Sequence, residues 1–266
     1  MTGSASNVRQ DISDSAFTSA SSTNSFLDAI TIEHGPRALL GRLFLKAVSC
    51  AEARGVSLRL CTLNELETFF QEQMKDWPTM PVFKPEYQPR EAGLTQSFAI
   101  LGEDIHGNVV ATQAARFFDW SETTLKAEVE SMRMLYDEKR LPAHASAEVT
   151  ANHAGRITGR VVYSGSTWFN PEYRKRQLSA ILPRISRCLA LTKWNVDTTI
   201  SFMDWRIVEK GVAASYGYDN LEASVTLRNV VDPEFVAAIG WITRDELLQD
   251  AEWFLRQLPD QASGRC

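Results

Sequence analysis

Three adjacent cations, Arg174, Lys175 and Arg176, follow directly on Asn170, Pro171, Glu172 and Tyr173. Asn is a favoured helix N-cap, Pro suits the first helical position, and an acid complements the positive helix end. The spacing therefore predicts a helix that opens at Asn170–Pro171 and runs to about Lys193, with Leu178, Ile181, Leu182, Ile185, Cys188 and Leu189 on its buried face. Cations in the first turns of a helix oppose a macrodipole of about half a positive charge, at a few tenths of a kcal/mol or more each. Glu172 offsets only part of that. Free backbone N–H groups joined to basic side chains make a receptor for phosphate or pyrophosphate. The alternative is that the side chains extend into water, where screening makes the penalty small. Pro183 lies inside the expected helix and should kink or interrupt it.

Other chemistries find less support. Cys50, Cys61, Cys188 and Cys266 are scattered and form no Cys-x-x-Cys pair, so they outline neither a disulfide framework nor a zinc site. His34, His106, His144 and His153 lack ligand spacing as well, and no metal is expected. Gly165-Ser166 does not sit in a Gly-x-Ser-x-Gly nucleophile elbow, and no Gly-x-Gly-x-x-Gly follows a strand. The net charge of −5 and isoelectric point near 5.5 give no general attraction for nucleic acid or anionic membrane. No apolar run approaches a membrane span, and the N-terminus lacks a charged region followed by an apolar one, so a cytoplasmic protein is expected.

The elements that must position the cations alternate in type. Residues 1–30, rich in Ser, Thr, Ala, Asn and Asp, cannot offset their ordering entropy by burial and read as a disordered arm before a single domain at 31–266. Pro36 to Arg54 shows helical periodicity, with Gly55 as a stop, and Ser57 to Cys61 alternates like a strand. Thr62 and Glu65 form a capping-box pair for a helix carrying Leu66, Phe69, Phe70 and Met74. Asp76 to Thr95 is irregular, with prolines at 78, 81, 85 and 89, and is either a cover over a substrate site or a surface wrap.

Gln96–Leu101 and Val109–Phe118 read as strands joined around His106-Gly107-Asn108. A polar helix capped by Ser121 is expected to run to about Arg140, and the stretch from there to Ile157 carries no clear pattern. Strands are expected at Arg160–Phe169, Thr198–Met203, Leu221–Leu227 and Phe235–Ile242, a short helix at Arg206–Ser215, and a last amphipathic helix at Arg244–Leu258. This order implies an α/β (α+β) fold, with a mixed, largely antiparallel sheet containing one strand–helix–strand crossover.

The run Phe169-Asn170-Pro171-Glu172-Tyr173-Arg174-Lys175-Arg176-Gln177-Leu178-Ser179 resembles the acyl-CoA-binding motif of the GNAT (Gcn5-related N-acetyltransferase) superfamily. That motif is a strand, a turn often ending in Pro-Glu-Tyr, then Arg/Gln-x-x-Gly-x-Gly/Ala opening a helix. Arg174 matches its first position and Ser179 is small at its last, whereas Gln177 and Lys175 stand at positions frequently held by Gly. The resemblance implies an acyl-CoA N-acyltransferase-like fold with two splayed parallel strands, and acetyl-CoA or another acyl-CoA as cofactor. Trp168, Phe169, Arg174, Lys175, Arg176, Gln177, Leu178 and Ser179 are the implied cofactor-binding residues. Gly165, in the first splayed strand, is either a bulge or close-approach glycine or a packing residue.

The implied activity is acyl transfer to a small-molecule or peptide amine, and a homodimer is compatible with it. A catalytically degenerate module that binds CoA or another ligand is the alternative. Many family members use a tyrosine acid in Asn-x-x-Ala-x-x-x-Tyr-x-x-x-Gly-Phe, and the tyrosine position falls here on Ala213. Tyr216 is the nearby substitute, or else a packing residue. Asp204, just after the second splayed strand, is a candidate base or a helix cap, and Glu148 is a second candidate base.

Overall fold

The computed structural model describes residues 25–74, 79–87, 96–231 and 234–259. Eight strands form one sheet: β1 (Ser57–Cys61), β2 (Ser97–Glu103), β3 (Val109–Trp120), β4 (Ser146–Val149), β5 (Gly159–Phe169), β6 (Thr198–Asp204), β7 (Asn220–Arg228) and β8 (Glu234–Thr243). Their spatial order is β1-β2-β3-β5-β6-β8-β7-β4. Every neighbouring pair is antiparallel except β5 and β6, which are parallel. The mixed, mostly antiparallel sheet expected from the element order is therefore present.

Helices cover both faces, because each strand alternates its side chains between them. On one face lie α1 (Arg37–Glu52), α4 (Leu178–Trp194) and α7 (Arg244–Gln257), packed through Leu43, Phe44, Ile181, Ile185 and Phe254 onto Val56, Ile100, Val162 and Ile242. The other face carries α2 (Leu63–Gln73), α3 (Leu125–Glu130) and the turn Pro81–Phe83, which bury Leu66, Phe70, Leu125, Val129 and Phe83 against Leu101, Tyr163, Ile200 and Ile239. The capping box at Thr62 and Glu65 forms as expected, with each residue's side chain accepting from the other's backbone N–H.

Several boundaries differ from the expectation. The helix read from Ser121 to Arg140 shrinks to α3, capped by Thr124, and Met132, Met134, Leu135 and Tyr136 are buried from turns beyond it. Met132 adopts φ 65°, which ends the helix. Arg206–Ser215 divides into α5 (Trp205–Val208) and α6 (Val212–Tyr216), separated by Gly211 at φ 73°. The stretch without a pattern supplies β4, an edge strand on β7. Phe26, read as part of the arm, is 4% exposed and belongs to the core, held by a Ser25–Asp28 capping box. Residues 1–24 of the expected arm lie outside the described residues.

Candidate functional site

The parallel pair β5–β6 is short. Val161, Val162 and Tyr163 pair with Thr198, Thr199 and Ile200, and the strands part beyond that point. What separates them is built into β5. Across from β3, Ala114 faces Gly165 while Thr112 faces Trp168, so Ser166 and Thr167 bulge opposite Gln113 alone. Ser166 takes φ 49°, its carbonyl accepting from the Thr112 hydroxyl at 2.7 Å.

Gln113, only 1% exposed, secures the bulge from below. Its amide nitrogen donates to Ser164 Oγ at 3.0 Å and to the Gly165 carbonyl at 3.1 Å, while its oxygen accepts from Thr167 Oγ1 at 2.7 Å. A buried amide with donors and acceptor all engaged makes a rigid staple.

The divergence opens a cavity of about 450 Å³ between the strands. Gly165, Ser166 and Thr167 line it from β5, Ser201 to Asp204 from β6, and Tyr216, Ile207 and Lys210 from the α5–α6 region. The proline-rich segment contributes Met80. Arg116, buried on β3, donates to the Val82 carbonyl at 3.0 Å and so pins the Pro81–Phe83 turn across the sheet. Phe83 then stacks on Tyr163 with ring centres 5.3 Å apart. A Cβ on Gly165 would come within 2.9 Å of the Phe83 ring, so this position requires glycine for close approach. Of the described part of the proline-rich segment, Met80 lines the cavity and Val82 and Phe83 pack in the core; residues 75–78 and 88–95 lie outside the described residues.

Tyr216 lines the cavity, and burial, with Tyr218 close by, pushes its hydroxyl up to about 12. Asp204 also lines it, but its carboxylate accepts from the Arg206 backbone N–H at 2.8 Å as the N-cap of α5 and pairs with the Arg206 guanidinium. These bonds to Arg206 hold the carboxyl below the usual range. The capping role expected for Asp204 is thus realised, and its bonds to Arg206 weaken it as a proton acceptor. Glu148 stands apart: on edge strand β4, it pairs with Arg228 at 3.3 Å and does not line the cavity.

The cationic run lies at the C-terminal end of β5, in a different local structure from the expected one. Asn170 does act as a cap, accepting from Glu172 N–H at 3.0 Å, but it caps a single 3-10 turn, Pro171–Tyr173. Arg174 is then extended at ψ 159°, and Lys175 and Gln177 adopt φ 64° and 60°. Left-handed residues cannot continue a helix, so α4 begins only at Leu178. The cations therefore precede the helix and loop around its start. Pro183 is accommodated within α4, which continues through it to Trp194.

At its start α4 has no side-chain cap. The first-turn N–H groups of a helix have no intrahelical acceptor, so those of Leu178 and Ser179 lack one here, and Arg174, Lys175 and Arg176 are exposed beside them. The Leu178 side chain itself is buried in the core. Gln177, at a position where the resembling motif has Gly, turns its side chain to Arg54, whose Nη2 donates to Oε1 at 2.7 Å. Arg176 Nη1 donates to the Arg54 carbonyl at 3.2 Å, and its guanidinium lies 4.2 Å from the Tyr173 ring centre.

Trp168 does not join this group. It is buried on the α2 face, 5.7 Å from the Phe69 ring, beside a groove that also touches Asn170 and Tyr173. Phe169 packs at the edge of the α4-side core. Sequence reasoning missed Arg54, Gln113, Arg116 and Lys210. No motif marks them, and only Arg54, the last cation before the Gly55 stop, stood at a boundary that the pattern had identified.

No family model matches the chain, and no curated protein matches it. Among solved structures it is similar to aminoglycoside acetyltransferase AAC(6')-Ib in complex with coenzyme A and kanamycin, at TM-score 0.41 and 13% identity over 73% of this chain and 98% of that one. It is also similar to Vibrio cholerae spermidine N-acetyltransferase in complex with CoA and spermine, at TM-score 0.41 and 9% identity over 73% and 98% of the two chains. Arabidopsis thaliana NAA60 in complex with acetyl-CoA gives TM-score 0.41 and 10% identity over 71% and 99%. At these identities and TM-scores the likeness is one of outline.

Proposed function

We propose that this chain is a divergent GNAT-type acyltransferase that moves an acetyl or other acyl group from a coenzyme A thioester to an amine. The observation that carries the reading is the opening between β5 and β6. Two parallel strands pair over three residues and then part around a stapled bulge, leaving strand edge free to bond an extended ligand arm. At the end of the same strand, an uncapped helix start ringed by Arg174, Lys175 and Arg176 offers a pyrophosphate receptor.

The residues present fit such a cofactor. Leu178 and Ser179 would hold the pyrophosphate through backbone N–H groups and the three cations through side chains. The Gln177 side chain, drawn to Arg54, is turned aside from the backbone cradle. When bound, the cofactor supplies an activated thioester carbonyl. In this reading Tyr216, a cavity-lining hydroxyl, gives a proton to the departing sulfur, and its burial, which raises it to about 12, makes it a weaker acid than an ordinary tyrosine.

One observation favours a second reading, a module of this fold that binds without turnover. Asp204, the carboxylate among the described residues lining the cavity, is committed to Arg206 and to capping α5. Titration with acetyl-CoA and with CoA, followed by binding heat and thermal unfolding, tests the cofactor site. Ligand at a hundred times its dissociation constant should add roughly 2.7 kcal/mol to stability. Arg174→Glu and Arg176→Glu should weaken binding strongly while leaving folding intact; unchanged affinity in both removes the site. Binding with no acyl transfer to any amine in a broad panel selects the second reading.

A further inference from the structure

α6 is too short to orient a side chain by itself, because a lone helical turn of five residues does not repay the entropy of forming it. Tyr216 is its last residue, so whatever holds the C-terminal end of α6 sets where this tyrosine lies against the cavity. The holder comes from α4. Arg184, 4% exposed, donates through Nη1 to the Ser215 carbonyl at 2.9 Å and to the Ala180 carbonyl of its own helix at 3.0 Å. Its other edge is fixed on Asp250 of α7, with Nε and Nη2 each 2.9 Å from a carboxylate oxygen. A last-turn carbonyl has no intrahelical donor, and a planar guanidinium can bond it and a carboxylate at once. Gly217, at φ 81°, allows this approach: a Cβ there would meet Arg184 Nη2 at 2.5 Å and Arg187 Nη2 at 2.9 Å. The Arg187 guanidinium lies 4.7 Å from the Tyr218 ring centre. The two arginines therefore grip the chain just before and just after Tyr216.

We infer that Arg184 is a positioning residue for Tyr216, fixing through the Ser215 carbonyl the turn that sets this tyrosine against the cavity. The inference rests on the acyltransferase reading, in which Tyr216 gives a proton to the departing sulfur. A C–N bond forms there as the C–S bond breaks, and the proton that Tyr216 gives up is balanced by one lost from the amine nitrogen. Arg184 does not line the cavity, so it acts through Ser215 and Tyr216 and not on a ligand. Its helix starts at Leu178, about 9 Å away at the rise of an α-helix. In this reading one rigid element thus sets both the pyrophosphate end and the proton donor.

The clamp can be read first without catalysis and then with it. The full chain is labelled with 3-fluorotyrosine, and the Tyr216 fluorine resonance is assigned by its loss in Tyr216→Phe. Arg184→Met, which leaves Arg187 its Asp250 partner, should shift or broaden that resonance. The resonances of Tyr87 and Tyr136, on the opposite face of the sheet, should stay in place. Arg184→Lys keeps a charge for Asp250 but cannot span to Ser215 as well, so it should move the Tyr216 resonance too. In acetyl transfer from acetyl-CoA to an amine that the parent turns over, both variants should lower kcat about tenfold or more at an unchanged KM for acetyl-CoA. In the Tyr216→Phe background, Arg184→Met should change kcat by less than about twofold. An unmoved Tyr216 resonance, equal movement of Tyr87 and Tyr136, full kcat in Arg184→Lys, or an equal loss with and without the Tyr216 hydroxyl each overturns the inference. If Arg184→Met does not fold, Arg184→Lys carries the same readouts. A parent that binds CoA but transfers acetyl to no amine, with the Tyr216 resonance moved as expected, counts against the acyltransferase reading and leaves the clamp standing.

Discussion

Arg54, the cation that follows α1, donates to the side chain of Gln177 at 2.7 Å across 123 positions of sequence. The same arginine donates to the Cys50 carbonyl at 2.7 Å and accepts Arg176 on its own carbonyl, so one residue ties the end of α1 to the turn before α4. This contact compensates for an awkward backbone. Gln177 holds a left-handed conformation that costs a non-glycine residue roughly 1–2 kcal/mol. Its side chain would crowd the helix start if it pointed inward.

Gln177→Gly should therefore stabilise the protein slightly. It removes the left-handed cost, gives up an exposed hydrogen bond worth about 0.5 kcal/mol, and adds entropy to the unfolded chain. A net gain of no more than about 1 kcal/mol is expected in urea unfolding, with unaltered or tighter CoA binding. A loss of more than 1 kcal/mol would mean that the Arg54 contact outweighs the backbone cost.

Gly165→Ala places a methyl group 2.9 Å from the Phe83 ring, beneath a turn that Arg116 holds in place. Overpacking of this sort costs about 1–3 kcal/mol. The substitution should lower the unfolding free energy by that amount and displace Phe83, seen as altered aromatic circular dichroism. An alanine variant as stable as the parent would show that the turn moves freely.

Asp250 in α7 is the shared carboxylate of two arginines from α4. Arg184 Nε lies 2.9 Å from it and Arg187 Nη2 3.4 Å, with the Arg187 side chain fully buried. Asp250→Asn leaves two buried guanidinium groups without a counter-charge, at a cost of about 3 kcal/mol. Chemical denaturation should register that loss, and Asp250→Glu should recover part of it.

Burial raises the Tyr216 and Tyr136 hydroxyls to about 12, above the ordinary value of 10. The unfolded chain then loses these protons first, so the associated stability is fully present below about pH 10 and is lost as pH rises through about 12. Tyr216→Phe should make this alkaline loss shallower, measured as unfolding free energy between about pH 10 and 12. If Tyr216 is also the proton donor, acyl transfer should fall in the same variant with cofactor binding retained. A variant with full activity would leave Tyr216 a packing residue.

Much of this was determined by the sequence alone. Local signals are sufficient where one residue satisfies its own neighbours. The Thr62–Glu65 capping box, the His106-Gly107-Asn108 turn, the periodicity behind α1 and α7, and the C-terminal end of α4 all appear within a residue or two of their expected places. The cation cluster and its place after a strand were equally legible. Only the tertiary structure decided where α4 begins, because the left-handed turns at Lys175 and Gln177 are imposed by long-range contacts such as that of Arg54, and Asn170 can cap one turn as well as a whole helix. It also decided which acids matter. Asp204 and Glu148 look alike in sequence, and what separates them is sheet order, which sets β6 beside the cavity and β4 at the far edge. Gln113 and Arg116 carry no motif because their roles depend on partners distant in sequence, across strand register and loop closure, and a linear pattern cannot hold that information.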